Sequence, residues 1–212
     1  MSNKPTFYIL HGEDDLALEE SVTRMRHAMG ENADLNTSTF DGESASVHDI
    51  LNAASSYPFL ADTRLVIVRG LIGWITRKGA GETGKKAVAH LKEALPNLPD
   101  TARLVFVEGT LDENNALIKL AGEAGGYVKN FSVPKDLRAW VIKRARDAYG
   151  ATIEPRAADA LASVIGTDLR RADNELVKLV SYTDGAPITE EHVAALTPYV
   201  AEANLFNMID AL

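Results

Sequence analysis

The sequence predicts an α/β fold with a mainly parallel sheet and helices on both faces, followed by a small helical domain. Over the first 130 or so residues, short apolar runs alternate with stretches of helical periodicity, as in proteins with a parallel sheet. From Pro134 onward the strand-like runs disappear and only helix-like segments remain. We therefore predict an α/β domain at residues 1–133, a helical domain at 134–202, and the start of another domain at 203–212.

The strands are predicted from apolar runs that stop at polar residues or glycine. The run at residues 65–68, Leu-Val-Ile-Val, is typical of a strand that is buried on both faces. The predicted strands cover residues 6–10, 35–40, 65–68, 104–107 and 127–131.

The helices are predicted from apolar residues that recur every three or four positions. Asp14 can cap the first helix, because a carboxylate accepts hydrogen bonds from first-turn amides. The apolar stripe of the last helix continues to Leu212 without a stop signal, so we expect a further domain beyond it in the natural protein. After the first helix, the predicted helices cover residues 46–56, 85–95, 114–123, 135–149, 155–165, 169–182, 189–196 and 204–212.

Composition excludes several functional classes. A net charge of −8 argues against nucleic-acid binding over the whole surface, because phosphate binding depends on Lys and Arg. With no cysteine, the chain has no disulfides, thiolate zinc sites or cysteine nucleophiles, and its five histidines lack metal-ligand spacing. Since no stretch is suited to a membrane span or a secretion signal, we expect a cytoplasmic protein without a membrane partner, metal or cofactor.

Residues 79–86, Gly-Ala-Gly-Glu-Thr-Gly-Lys-Lys, come within one residue of the phosphate-binding pattern G-x-x-x-x-G-K-[ST]. Lys86 stands where that pattern needs a hydroxyl group for magnesium, and residues 70–78 separate the motif from the preceding strand. We favour a flexible loop with Gly84 near a helix start. A P-loop ATPase that uses residues 79–86 is the alternative.

Two further positions carry carboxylates at strand ends. The first strand-to-helix turn, residues 11–15, has three carboxylates and no lysine, which suits a helix dipole but repels a nucleotide phosphate. Glu108 is a single carboxylate after a strand, and a solvated strand end is favoured over a magnesium ligand. No serine-nucleophile motif occurs either, so we predict no active site.

Basic residues concentrate at two places in the helical domain. One is the helix at 135–146, where a solvated face is favoured and a DNA-binding module is the alternative. The other is a pair in the first turn of a helix that Asp168 caps, where the dipole disfavours cations, and both an anionic partner and plain solvent exposure remain open. The candidates for DNA or subunit contact are Arg138, Lys143, Arg144, Arg170 and Arg171.

Residues 57–64, Tyr-Pro-Phe-Leu-Ala-Asp-Thr-Arg, place large apolar side chains between a helix and a strand, where a polar loop is usual. Such a cluster either packs back onto the core or contacts another protein.

The order of these segments resembles the delta subunit of the bacterial DNA polymerase III clamp loader. The segments that carry the resemblance are residues 8–14, 41–42, 58–69, 166–179 and 204–206. The resemblance covers essentially the whole chain and corresponds to the first two of three domains in that family. It implies an AAA+-type fold that has lost nucleotide binding, then a helical lid-type domain, with a helical collar domain starting at the last segment.

The resemblance implies a non-catalytic component of the DNA polymerase III holoenzyme. Because it belongs to that holoenzyme, we expect a family-level classification as a DNA-directed DNA polymerase, which is a nucleotidyltransferase. Delta proteins bind the β sliding clamp through an apolar tip and help to open it. Carried onto this chain, the clamp-binding residues are Tyr57, Phe59 and Leu60, and Tyr57 departs from the aliphatic or Met residue expected there. The implied partners are the clamp and the gamma or tau and delta-prime subunits, with DNA contacted only within the complex. Arg170 and Arg171 lie where AAA+ relatives carry a nucleotide-sensing arginine.

Overall fold

The computed structural model describes residues 4–197, which fall into two compact units. The division lies between Ser132 and Val133, one residue before the boundary proposed from the sequence. The last predicted segment, 203–212, lies outside the described residues.

The first unit contains a five-stranded sheet in the order β2-β3-β4-β1-β5, in which every pair of neighbouring strands is parallel. The predicted α/β fold with a parallel sheet is therefore confirmed. The strands are β1 (Phe7–Gly12), β2 (Thr37–Asp41), β3 (Arg64–Arg69), β4 (Ala102–Glu108) and β5 (Tyr127–Phe131).

Helices cover both faces of this sheet. Alternate residues of β3 enter opposite cores: Val66 and Val68 pack with α2–α5, whereas Leu65 and Ile67 pack with α1. This alternation follows from the two-residue period of a strand and confirms that β3 is buried on both faces. The helices of this unit are α1 (Asp15–His27), α2 (Val47–Ser55), α3 (Leu71–Thr76), α4 (Gly81–Ala94) and α5 (Ala116–Glu123).

Two of these elements differ from the sequence prediction. Residues 70–78, treated as an intervening segment, contain α3, and α4 begins at Gly81 instead of residue 85. Glycine is a poor helix former, which is why the pattern predicted a loop here. Gly84 is nevertheless buried inside α4, where an added Cβ would lie 2.3 Å from the carbonyl oxygen of Ile75. Close packing of α4 on the end of α3 therefore requires glycine at this position.

The second unit is helical, with side-chain caps at the starts of three of its helices. Asp136, Asp168 and Thr189 each accept a hydrogen bond from a first-turn amide, so the predicted cap at Asp168 is confirmed. Ile153 and Ile188 form an isolated parallel bridge. The helices are α6 (Leu137–Tyr149), α7 (Pro155–Ile165), α8 (Leu169–Thr183) and α9 (Glu190–Leu196).

A polar network joins α6 to α8. Nε and a terminal nitrogen of Arg144 donate to the two carboxylate oxygens of Asp173 at 2.7 and 2.9 Å, and the Tyr149 hydroxyl donates to the same carboxylate at 2.6 Å. Burial alone would raise the pKa of Asp173, but hydrogen bonds from Arg144 and Tyr149, with the charges of Arg144 and Arg170, hold it below its usual value. Asp173 is therefore the shared acceptor of this helix pair.

We expect Asp173→Ala to lower the free energy of unfolding by about 2–3 kcal/mol, because it leaves the largely buried Arg144 and the Tyr149 hydroxyl without this acceptor. Denaturant titration measures the change. The matched control is Asp159→Ala, which breaks an exposed 3.3 Å pair with Arg138 and should cost about 0.5 kcal/mol or less. Equal losses in the two variants would contradict the assignment.

Candidate functional site

The apolar cluster between α2 and β3 is exposed. We call residues 57–63 the tip loop. Tyr57, Phe59 and Leu60 are 92%, 60% and 75% exposed, so these side chains do not pack back onto the core of the described chain. Three large apolar side chains on one short loop form the kind of surface that another protein covers.

The backbone of the tip loop is held by two asparagines. Phe59 N donates to Oδ1 of Asn36 at 2.6 Å, and Nδ2 of Asn36 donates to the carbonyl of Phe59 at 2.8 Å. The Asn36 side chain thus pairs with both backbone groups of Phe59. Nδ2 of Asn32 donates to the carbonyl of Leu60 at 2.7 Å. The loop is therefore anchored through its backbone while its large side chains point to solvent.

Leu60 has a φ of 51°, in the left-handed region that non-glycine residues rarely adopt. Such a residue costs roughly 1 kcal/mol or more and persists when its surroundings hold it there. The bond from Asn32 to the Leu60 carbonyl is one such restraint.

Arg64, the first residue of β3, closes the other end of the loop. Its guanidinium donates to the carbonyls of Ala53 and Leu35 at 3.3 and 3.2 Å and to Oγ of Ser38 at 2.8 Å. These bonds connect the end of the tip loop to α2, to Leu35 just before β2, and to Ser38 of β2.

Sequence reasoning missed Leu35, Asn36 and Asn32 as parts of this site. Residues 35–40 were predicted to be a strand, but β2 begins at Thr37, and the Leu35 side chain is exposed beside the residue that bonds Phe59. Leu35 shortly precedes two threonines and Phe40, residue types that favour strands, so the sequence pattern gave no sign that Leu35 is exposed.

The turn between β1 and α1 uses its own backbone amides. Gly12 N donates to the Gly109 carbonyl at 3.2 Å, and the amides of Glu13 and Asp14 both donate to the Phe131 carbonyl at 2.9 Å. The Asp14 carboxylate accepts from Ala17 N at 2.9 Å, as predicted for a helix cap. Amides that could cradle a phosphate at this helix start are thus bonded to Gly109 and Phe131, and a carboxylate occupies the first turn.

The prediction that Glu108 is a solvated strand end is wrong. Its side chain is 4% exposed, not solvated, and its two oxygens accept from the amides of Ile72 and Gly73 at 2.8 and 3.0 Å. Burial raises the pKa of Glu108 to about 6, against the opposing effect of the backbone hydrogen bonds. Glu108 therefore caps the first turn of α3, a helix that sequence reasoning did not anticipate.

Residues 81–86 of the near-miss phosphate motif are helical, since they form the start of α4. A phosphate loop lies between a strand and a helix, whereas α3 separates these residues from β3. Nζ of Lys85 pairs with Glu82 of the same helix at 2.8 Å. Gly84 lies near a helix start, as predicted, but α4 begins at Gly81, so residues 81–84 are helical instead of a flexible loop, and the intervening α3 argues against the P-loop alternative.

The basic candidates of the second unit have different surroundings. The guanidinium of Arg144 is bonded to Asp173, which argues against its use in DNA contact. Arg138 pairs with Asp159 at 3.3 Å, and the side chains of Lys143 and Arg170 are exposed. These ion pairs weaken the alternative of a DNA-binding module on the helix at 135–146. Contacts of Arg138, Lys143, Arg170 and Arg171 with DNA or a subunit stay a prediction.

Two searches of residues 4–197 bear on other classes of site. In this range no three His, Asp or Glu residues are grouped so that they could hold a metal ion. None of the helices described there has the length and apolar character needed to cross a membrane.

We expect Glu108 to make stability depend on pH. Because its folded pKa of about 6 lies above the ordinary value of 4.5, the folded state binds this proton more tightly, and stability falls as pH rises between these values. Relative to Glu108→Gln, which cannot titrate, the wild type should lose about 2 kcal/mol of unfolding free energy from pH 4 to pH 7. Denaturation at several pH values measures this difference, which should then stay constant from pH 7 to 8. A difference independent of pH throughout would refute the assignment.

We expect Gly84→Ala to destabilise the protein by about 1–3 kcal/mol, because the added Cβ would clash with the Ile75 carbonyl. Lys85→Ala, which removes an exposed pair, should change stability by less than about 0.5 kcal/mol. Thermal denaturation measures both effects, and calorimetric titration with ATP provides the second readout. Micromolar ATP binding that Lys85→Ala abolishes would restore the P-loop alternative.

Comparison with known proteins identifies the family. A family model described as DNA polymerase III, delta subunit matches residues 8–130, which is more than half of the chain. DNA polymerase III subunit delta of Bacillus subtilis (strain 168) is 26% identical over 215 residues, covering 97% of this chain and 60% of the relative. The chain thus spans about 60% of that relative's length.

Solved structures support the fold. The Bacillus subtilis DNA clamp loader delta protein aligns with a TM-score of 0.66 and 24% identity, covering 92% of this chain and 58% of that one. A Thermotoga maritima RuvB variant aligns with a TM-score of 0.51 and 14% identity, covering 91% of this chain and 61% of that one. These likenesses confirm the expected AAA+-like fold. The family model that matches residues 8–130 establishes that this chain belongs to the DNA polymerase III delta subunit family.

Proposed function

We propose that this chain binds the β sliding clamp through its tip loop and helps to open the clamp for loading onto primed DNA. Membership of the delta subunit family supports a clamp-loader role. The single observation that carries the proposal is the exposure of Tyr57, Phe59 and Leu60 on a loop whose backbone is anchored from within the protein. In this proposal the tip loop contacts the clamp, and the sheet of the first unit supports the tip loop.

The energetics suit a small anchored contact. Each of Phe59 and Leu60 contributes roughly 1.5–3 kcal/mol when its side chain is buried in a partner's pocket. Two such neighbouring anchors form a hot spot of the kind that dominates protein interfaces. Tyr57, the most exposed of the three, adds an aromatic ring with a polar end at the rim of the contact.

The proposed role needs no chemistry in this subunit. The turn after β1 uses its amides internally and the near-miss phosphate motif is helical, which supports a subunit that acts by contact without nucleotide hydrolysis. The gamma or tau and delta-prime subunits are its proposed partners in the loader, with DNA contacted within that complex. A role in replication of a bacterial chromosome implies that the protein works in the cytoplasm.

We expect the double variant Phe59→Ala/Leu60→Ala to weaken clamp binding by at least about a hundredfold, because both anchors are removed. Surface plasmon resonance with the immobilised cognate clamp measures the Kd. Stability should change by less than about 0.5 kcal/mol per site, since both side chains are exposed.

The matched control is Val177→Ala/Tyr182→Ala, which removes two exposed apolar side chains from α8. This control should bind the clamp as the wild type does. Wild-type affinity in the Phe59/Leu60 variant would exclude the tip loop as the clamp contact.

A further inference from the structure

We infer that Asn36 is a positioning residue for the tip loop. Its side chain holds the loop in one conformation before the partner arrives, so that Phe59 and Leu60 are presented ready to bind. The inference rests on the proposed clamp-binding function and adds a residue that does not touch the partner, since Asn36 is 0% exposed.

The hydrogen bonds of Asn36 are concentrated on the tip loop. Oδ1 accepts from Phe59 N, and Nδ2 donates to the carbonyls of Phe59 and Asn32 at 2.8 and 3.0 Å. A neighbouring strand would offer Phe59 the same pair of bonds, one to its amide and one to its carbonyl. Here a single buried amide side chain replaces that strand.

Asn32 extends this support by one residue. Its own carbonyl accepts from Asn36, and its side chain donates to the carbonyl of Leu60. The two asparagines therefore bond the backbone of both proposed anchors, Phe59 and Leu60.

Packing does not replace these bonds. Tyr57, Phe59 and Leu60 direct their side chains to solvent, so their apolar area contributes little to holding the loop. Leu60 also keeps a positive φ, which an unrestrained leucine would leave. Between the end of α2 and Arg64, the described hydrogen bonds to the loop are those from the two asparagines and one from Oγ1 of Thr63 to Sδ of Met29 at 3.1 Å, and only the asparagines bond Phe59 and Leu60.

A preformed loop binds more tightly than a mobile one. Fixing the backbone of one residue reduces an equilibrium constant by roughly five- to thirtyfold, and a loop already held in its bound form avoids that loss at the moment of binding. The bond between Asn36 and β3 does not involve the Asn36 side chain, because Leu65 N donates to the Asn36 backbone carbonyl at 2.9 Å. A side-chain substitution leaves that bond possible.

The test combines two measurements on the 212-residue chain: amide hydrogen exchange in the free protein and Kd for the immobilised cognate clamp. In Asn36→Ala we expect the Phe59 amide to exchange at least about tenfold faster, while the amides of β3 and β4 keep their protection. The clamp Kd should rise by roughly tenfold, although both anchor side chains are present.

Two further variants sharpen the test. Asn32→Ala removes only the exposed bond to Leu60 and should raise the Kd by roughly threefold without changing the melting temperature. Asn97→Ala is the matched control: it removes the exposed hydrogen bond from Asn97, which follows α4, to the carbonyl of Glu93 in α4, and should leave amide exchange and clamp Kd unchanged.

Each outcome decides the matter. Wild-type affinity in Asn36→Ala, with binding lost in Phe59→Ala/Leu60→Ala, would overturn the positioning role and leave the proposed function standing. Failure of the wild type to bind the clamp would instead overturn the proposed function, and the inference with it. If Asn36→Ala also loses protection in β3, Asn32→Ala decides: a raised Kd at an unchanged melting temperature supports the inference, and an unchanged Kd overturns it.

Discussion

Backbone amides and carbonyls that lose contact with water need hydrogen-bond partners, and three loops or helix starts of the first unit find those partners within the chain. Asn36 pairs with both backbone groups of Phe59, the Phe131 carbonyl accepts the amides of the turn after β1, and Glu108 accepts the first-turn amides of α3. The first of these pairings anchors the backbone of the apolar tip loop. The second uses amides that could otherwise cradle a phosphate at the start of α1, and the third satisfies the amides at the start of α3.

In the tip loop, the backbone provides the anchoring and the side chains provide the apolar surface. Its backbone is bonded inward, to Asn36 and Asn32, and its large side chains face solvent. This arrangement suits the proposed clamp contact, because preorganisation of a loop reduces the cost of binding. The parallel sheet contributes by fixing β2 and β3 side by side, which brings residue 36 beside the loop that precedes β3.

The sequence predictions were wrong where a tertiary contact outweighed the local preference of the residues. The glycines at residues 79–84 suggested a flexible loop, but α4 begins at Gly81 because close packing on α3 outweighs the low helix propensity of glycine. Glu108 was expected to be solvated because a carboxylate at a strand end usually is, yet the unanticipated helix α3 buries it and raises its pKa to about 6. The missing information was the contact of Gly84 with Ile75 of the preceding helix in the first case, and in the second the contact of Glu108 with the distant amides of Ile72 and Gly73.

The sequence by itself determined the alternation of strands and helices, the caps at Asp14 and Asp168, and the unusual apolar composition of residues 57–60, because each depends on periodicity or on bonds between near neighbours. Only the tertiary structure decided that Tyr57, Phe59 and Leu60 are exposed, and that Asn36 bonds the backbone of Phe59. Asn36 lies 23 positions before Phe59, and Ile72 lies 36 positions before Glu108. Such partners are brought together by the parallel pairing of the strands, so no local pattern could reveal them.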